Sequence, residues 1–187
     1  MREEILMKKL SVKNVVAIGI GAALFFVLGK LSIPTPVPNT YISLQYAIEA
    51  VFATLFGPIA GLLIGFIGHT LVDATSYGPW WSWIIASACV GLIIGLITMK
   101  MDINEGLDTK KIIRFNVAQI IAHLVAWGLI APCLDILIYS EPKEKLFAQG
   151  LTAAIANIIT TGVVGTLLLV AYAETVVKRG SLSKEED

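Results

Sequence analysis

Long apolar runs separated by short polar or glycine–proline breaks organise this chain. The opening MREEILMKKL is polar and amphipathic, suited to a short interfacial helix or a tail. Apolar runs then predict six helices, at about 12–31, 41–56, 58–76, 80–99, 112–138 and 146–177. A membrane-crossing helix needs about 20 apolar residues, and most of these runs reach or approach that length. The breaks are chemically distinct. Ser32–Thr40 (SIPTPVPNT) carries three prolines in nine residues and cannot be helical. Gly57-Pro58 ends the second helix and suits the first turn of the third. Tyr77-Gly78-Pro79 makes a turn, Lys100–Lys111 is a charged loop containing Gly106, and Tyr139–Lys145 is a polar turn. Pro132 is expected to kink the fifth helix, the long sixth helix has room to tilt, and KRGSLSKEED is expected to be a solvated tail.

Composition turns this pattern into a fold class. The 187 residues are 56% hydrophobic and 15% charged, with a mean hydropathy of +0.79. A soluble domain could not hide so much apolar surface. The expected architecture is an all-α membrane protein, a single membrane domain over residues 1–187 with six transmembrane helices. The first apolar run ends in Lys-Leu-Ser-Ile-Pro rather than at a small-residue cleavage site, so no cleavable leader is expected. A formal net charge of zero argues against a nucleic-acid binder. Cys89 and Cys133 sit inside apolar runs and read as free buried thiols rather than a disulfide or zinc site.

Charge also orients the bundle. Six helices put both termini on one side. Eleven basic residues, including Lys13, Lys100, Lys111 and Arg114, fall on that side, against Lys30, Lys143 and Lys145 on the other. The positive-inside rule makes the termini cytoplasmic and the proline loop extracellular. The expected location is the cell membrane, crossed several times.

Small residues recur at helical spacing. Gly57, Gly61 and Gly65 stand four apart, followed by Gly68; Gly91 and Gly95 are on the fourth helix, Gly162 and Gly165 on the sixth. Such faces let helices approach closely in lipid, and tight packing within the bundle is the plain reading. The first helix is richer, with Ala17, Gly19, Gly21, Ala22 and Ala23. Ala17, Gly19, Gly21 and Ala23 are candidates for docking a partner protein. On this reading Gly21→Leu spares ligand binding and stops uptake.

Ionisable groups in an apolar span are costly and therefore candidates for function. They are Glu49, His69, Asp73, His123 and Asp135, joined by Gln45, Asn116, Gln119, Gln149 and Asn157. His69 and Asp73 are i, i+4 on one helix face. Helix directions gather most of these groups beneath the proline loop, as a solute site open to the outside requires. The candidate substrate residues are Asn39, Tyr41, Gln45, Glu49, His69, Asp73, Trp83, Trp127 and Asn157. Glu49, His69 and Asp73 offer hydrogen bonds; Tyr41, Trp83 and Trp127 offer stacking for a planar ring. Glu49→Gln or Asp73→Asn is then expected to weaken ligand binding tenfold or more. The competing reading makes His69–Asp73 and Glu49 structural ties between helices. Asp135 reads as an interface residue, His123 as an interhelical hydrogen-bonding group, and one of Trp80 and Trp81 as a membrane-belt anchor.

Enzyme signatures are absent: the sequence has no HExxH, GxSxG, P-loop or metal-ligand spacing. Without an ATP site, the chain cannot pump by itself.

Several blocks carry a family resemblance: SVKNVVAIGIGAALFFVLGK, IPTPVPNT, FGPIAGLLIGFIGH and YGPWWSWIIASACVGLIIGL. Together they resemble the S components of energy-coupling factor (ECF) transporters, in the riboflavin-type or uncharacterised branch, over nearly the whole chain. The resemblance implies a six-helix subunit that binds a vitamin or vitamin precursor near the outer face, under the loop after helix 1. It also implies that helix 1 docks on a transmembrane T component, and that two ATP-binding-cassette ATPases supply the ATP use, with no cofactor in this chain. Glycine here partly replaces the alanine expected on the docking face. The chemistry of the candidate residues favours a small planar heterocycle, such as hydroxymethylpyrimidine, a pyridoxine-like vitamer or riboflavin, over an anion such as folate. The alternative class is a cation-binding or channel-like bundle built on Glu49, His69, Asp73 and His123.

Overall fold

A computed structural model describes residues 11–176. The opening decapeptide, the last residue expected in helix 6 and the charged tail lie outside the described residues. Six helices carry the fold: α1 (Val12–Lys30), α2 (Gln45–Phe56), α3 (Pro58–Ala74), α4 (Trp81–Thr98), α5 (Thr109–Tyr139) and α6 (Lys143–Thr175). Four of them, α1, α4, α5 and α6, are long and apolar enough to cross a membrane, while α2 and α3 are shorter at 12 and 17 residues.

Local chemistry sets the boundaries. The Ser11 hydroxyl accepts from the Asn14 amide at 3.2 Å and caps α1. Asp108 caps α5 by accepting from the Lys111 amide at 2.8 Å, so that helix starts three residues before the apolar run. Gly57 has φ +92°, which lets the chain turn directly into Pro58 at the head of α3. The proline loop is a hairpin: β1 (Ile33–Pro34) pairs antiparallel with β2 (Tyr41–Ile42). Tyr41 therefore lies in a strand and not, as expected, in the second helix, which begins at Gln45. The hairpin consumes the backbone groups of 41–42 before a helix can start.

Pro132 perturbs α5 as a wider turn. A π-helical turn over Ala126–Ile130 precedes it, a register change that accommodates the missing proline N–H. A second π turn, Thr161–Gly165, interrupts α6.

The tightest seam joins α3 and α4. A Cβ placed on Gly61 would lie 2.5 Å from the Gly91 carbonyl oxygen, and one on Gly65 would lie 2.6 Å from that of Ser87. These backbones touch, so the glycine ladder serves packing within the bundle. On α1, a Cβ at Gly21 would press on Ile64 at 2.5 Å, and Ala17 is buried. Gly19 has open space around it and Ala23 is exposed. The four-residue docking face thus divides: Ala17 and Gly21 pack inward, Gly19 and Ala23 face out. Residues two apart on a helix are about 200° apart round its axis, so they cannot share a face.

One end of the bundle carries the start of α1, the end of α2 and the loop between α4 and α5. There the Lys13 ammonium sits 5.7 Å from the centre of the Phe56 ring, and Lys100, Lys110, Lys111 and Arg114 gather nearby in the chain. The other end carries the hairpin and the turns after α3 and α5. Two cavities lie at that end.

Candidate functional site

The hairpin end contains two adjoining cavities, of about 280 Å³ and 370 Å³. Asn39, His69, Tyr77 and Trp83 line both, so the two share one wall. Together they reach the size range of small-molecule pockets.

Seven of the nine candidate residues line the first cavity: Asn39, Tyr41, Gln45, His69, Trp83, Trp127 and Asn157. They come from the hairpin and from α2, α3, α4, α5 and α6. The rings of Trp83 and Trp127 lie 5.2 Å apart at 39°, and Tyr46 meets Trp127 edge-on at 5.3 Å. The Trp127 indole N–H donates to His123 Nδ1 at 3.1 Å, and His123 Nε2 lies 3.1 Å from the Thr161 hydroxyl. Since Nδ1 accepts, Nε2 carries the proton and donates to Thr161. His123 is thus an interhelical tie between α5 and α6, and it fixes Trp127 at the cavity wall.

Glu49 and Asp73 do not line either cavity. Glu49 is wholly buried, with neither carboxylate oxygen hydrogen-bonded among the described residues. Its Oε1 lies against Gly65 and Gly91, under the glycine seam and one turn below Gln45. Asp73, also wholly buried, accepts from the Trp80 amide at 3.0 Å and the Tyr77 hydroxyl at 3.1 Å. It therefore locks the turn from α3 into α4. His69 Nε2 stands 3.4 Å from Asp73 Oδ1, while Nδ1 meets the Ser87 hydroxyl at 2.5 Å. Ser87 in turn lies 3.0 Å from the Tyr46 hydroxyl. His69 faces the cavity and Asp73 braces it from behind.

Asp135 is more than an interface residue. It is 1% exposed and lines the second cavity. It accepts from Trp80 Nε1 at 2.7 Å, from Trp83 Nε1 at 2.8 Å and from the Ser82 hydroxyl. One carboxylate on α5 thereby fixes Trp80, the residue before α4, together with Ser82 and Trp83 of its first turn. Trp80 also stacks on Tyr139 at 4.3 Å. The belt reading fits Trp81, which is exposed, and does not fit Trp80.

Further cavity residues lie outside the nine substrate candidates. Lys30 lines the first cavity, donating to the Val72 carbonyl at 3.2 Å and the Ser76 hydroxyl at 2.6 Å. Gln149 lines the second and ties α6 to the hairpin by donating to the Pro38 carbonyl at 2.7 Å. Lys30 had a signal, as a lone cation on the sparsely basic side. Ser43 and Tyr46 had none, being ordinary residues for the start of a helix. Among the described residues, no three His, Cys, Asp or Glu side chains group to hold a metal, and both cysteines are free and half-buried.

Comparison with known proteins agrees with this architecture. Residues 9–174 match the family model described as ECF-type riboflavin transporter, S component. Proteins named UPF0397 are close relatives. That of Streptococcus gordonii (strain Challis) is 55% identical over 177 residues, covering 94% of this chain and 95% of its own. That of Lactococcus lactis subsp. cremoris (strain NZ9000) is 55% identical over 182 residues, covering 96% and 100%. That of Enterococcus faecalis (strain V583) is 53% identical over 181 residues, covering 95% and 99%. With its long apolar helices, the chain is a multi-pass membrane protein and a transporter's substrate-binding subunit rather than an enzyme; it belongs to the ECF-type riboflavin transporter S component family.

Proposed function

We propose that the cavity between Trp83 and the hairpin captures a small planar vitamin or vitamin precursor from the extracellular side. The observation that carries this reading is the aromatic wall. Trp83 and Trp127 stand 5.2 Å apart in a cavity otherwise lined largely by neutral polar side chains. Offset aromatic walls favour a flat ring, and neutral amides and hydroxyls fix its orientation. The positive-inside asymmetry supports the outward opening, because the cavity lies at the end with few basic residues. Glu49 and Asp73 are outside the lining, Lys30 lines the first cavity, and Asp135, Glu141 and Lys145 line the second. The preference for a flat ring therefore rests on the aromatic wall.

Delivery requires a T component and two ATP-binding-cassette ATPases, as family membership implies. The outward strip of α1 fits the T component: Gly19 and Ala23 lie between exposed Val15, Val16, Ile20, Leu24 and Val27. Such a strip lets a second helix approach closely.

The test is titration of the detergent-purified protein with riboflavin, hydroxymethylpyrimidine and pyridoxine, read by tryptophan fluorescence. One of them should quench the signal saturably. Trp127→Ala should weaken that ligand about tenfold, or about 1.4 kcal/mol. No saturable quenching by any of the three would overturn the assignment.

A further inference from the structure

A third cavity, of about 330 Å³, lies at the end of the bundle opposite the hairpin. Its volume falls within the range of small-molecule pockets, and none of the nine substrate candidates borders it. The start of α1, the end of α2, the loop between α4 and α5, and Tyr172 of α6 enclose it. The basic residues at this end divide by what they hold. Lys111 Nζ donates to the carbonyls of Asp102 and Gly106 at 2.6 and 2.7 Å, and Arg114 Nε donates to that of Ile97 at 2.8 Å. Those two close the loop onto the end of α4. Lys13 and Lys100 take no part in this. Among the described residues, neither ammonium has a hydrogen bond or a carboxylate within ion-pair distance. Both line the cavity.

The other polar side chains of the lining are engaged with the protein. Asp102, its one acid, accepts from the Asn104 amide and carboxamide at 2.9 and 3.0 Å. Asn104 Oδ1 accepts from the Tyr172 hydroxyl at 3.3 Å, and the Thr54 hydroxyl donates back to the Ala50 carbonyl at 2.9 Å. Two ammonium groups are what the cavity has left to offer, and they call for an anion. The setting narrows which one. α1 begins and α4 ends here, so the cavity lies where two spans meet the membrane surface. Its rim is apolar, with Phe56 half-buried and Met99 exposed. The Phe56 ring also places Lys13, whose ammonium stands 5.7 Å from the ring centre. α2 ends on this cavity too, and the negative end of its dipole opposes a small, highly charged anion such as free phosphate. A singly charged phosphodiester is opposed less, and its attached chains gain the apolar rim.

We propose that this cavity binds the headgroup of an anionic phospholipid. Lys13 holds the phosphodiester from the start of α1 and Lys100 holds it from the loop after α4, while the acyl chains leave past Phe56 and Met99. Basic pockets between spans suit such headgroups, because each lysine near the surface adds attraction for anionic lipid. The site shares no residue with the hairpin-end cavities, so it stands or falls apart from the capture of a planar ring.

Native mass spectrometry of the detergent-purified full chain, titrated with phosphatidylglycerol or phosphatidylcholine, tests the proposal. One phosphatidylglycerol should bind saturably, about tenfold or more tighter than phosphatidylcholine. Lys13→Gln and Lys100→Gln should each weaken it about fivefold. Lys110→Gln, which removes an exposed lysine outside the lining, should leave it within about twofold of wild type. Inorganic phosphate at the same concentration should not displace the lipid. The lipid comparison uses wild-type protein, so a misfolded variant leaves the test intact. Equal binding of the two lipids, unchanged affinity in both lining variants, an equal loss in Lys110→Gln, or displacement by inorganic phosphate would overturn the proposal.

Discussion

Replacing Asp135 by leucine strands three donors at once: the Trp80 and Trp83 indole N–H groups, held at 2.7 and 2.8 Å, and the Ser82 hydroxyl. Each buried donor left without an acceptor costs about 1–3 kcal/mol, so the gross penalty is roughly 3–9 kcal/mol. The second cavity adjoins Asp135, and water there can rehydrate part of the exposed set. The lower half of that range, about 3–6 kcal/mol, is therefore the expected loss. For a protein of this size that corresponds to a fall in Tm of about 10 °C. Asp135→Asn keeps one acceptor oxygen and should lose about half as much. Thermal unfolding of the detergent-purified variants, followed by circular dichroism, measures the effect. Ligand affinity should fall as well, because Trp83 loses the bond that holds it at the cavity wall. An Asp135→Leu protein that melts within about 2 °C of wild type would refute the claim that this carboxylate organises the site.

Other substitutions separate the roles that the structure assigns. Gly21→Leu should abolish folded protein on size-exclusion chromatography, since its side chain would collide with Ile64 and Phe52. Gly19→Leu, on the outward strip, should retain ligand binding and block uptake by the reconstituted transporter; normal uptake would remove that strip as the docking face. Glu49→Gln should leave ligand affinity within about twofold of wild type by titration calorimetry, because Glu49 does not reach the cavity. Gly65→Val should eliminate folded protein, since no side chain fits between α3 and the Ser87 carbonyl.

The sequence exposed the helices because their apolar runs are long and the prolines and glycines between them are concentrated. It exposed the cavity because polar residues in an apolar span stand out one by one, and helix direction sorts them by depth. Depth alone did not separate Gln45 from Glu49. They are i, i+4 on one face of α2, yet the first reaches the cavity and the second lies under the α3–α4 seam. A single turn decides, and only the crossing of three helices shows which side of it the cavity floor takes. Asp135 was visible as an acid in an apolar run and read as an interface residue, but its importance lies in three donors at the head of α4, more than 50 residues earlier in the chain. No local spacing records that contact. The α1 face was misread for a simpler reason. Four small residues at alternate positions look like one stripe on paper and make two on a helix.

The most direct test of the capture site is mass spectrometry of small molecules released when freshly purified wild-type protein is denatured. The expected result is a planar nitrogen heterocycle, present in wild type and lost from Trp127→Ala protein purified in parallel. Recovery of a non-planar or acyclic molecule, or equal occupancy in the variant, would contradict the account.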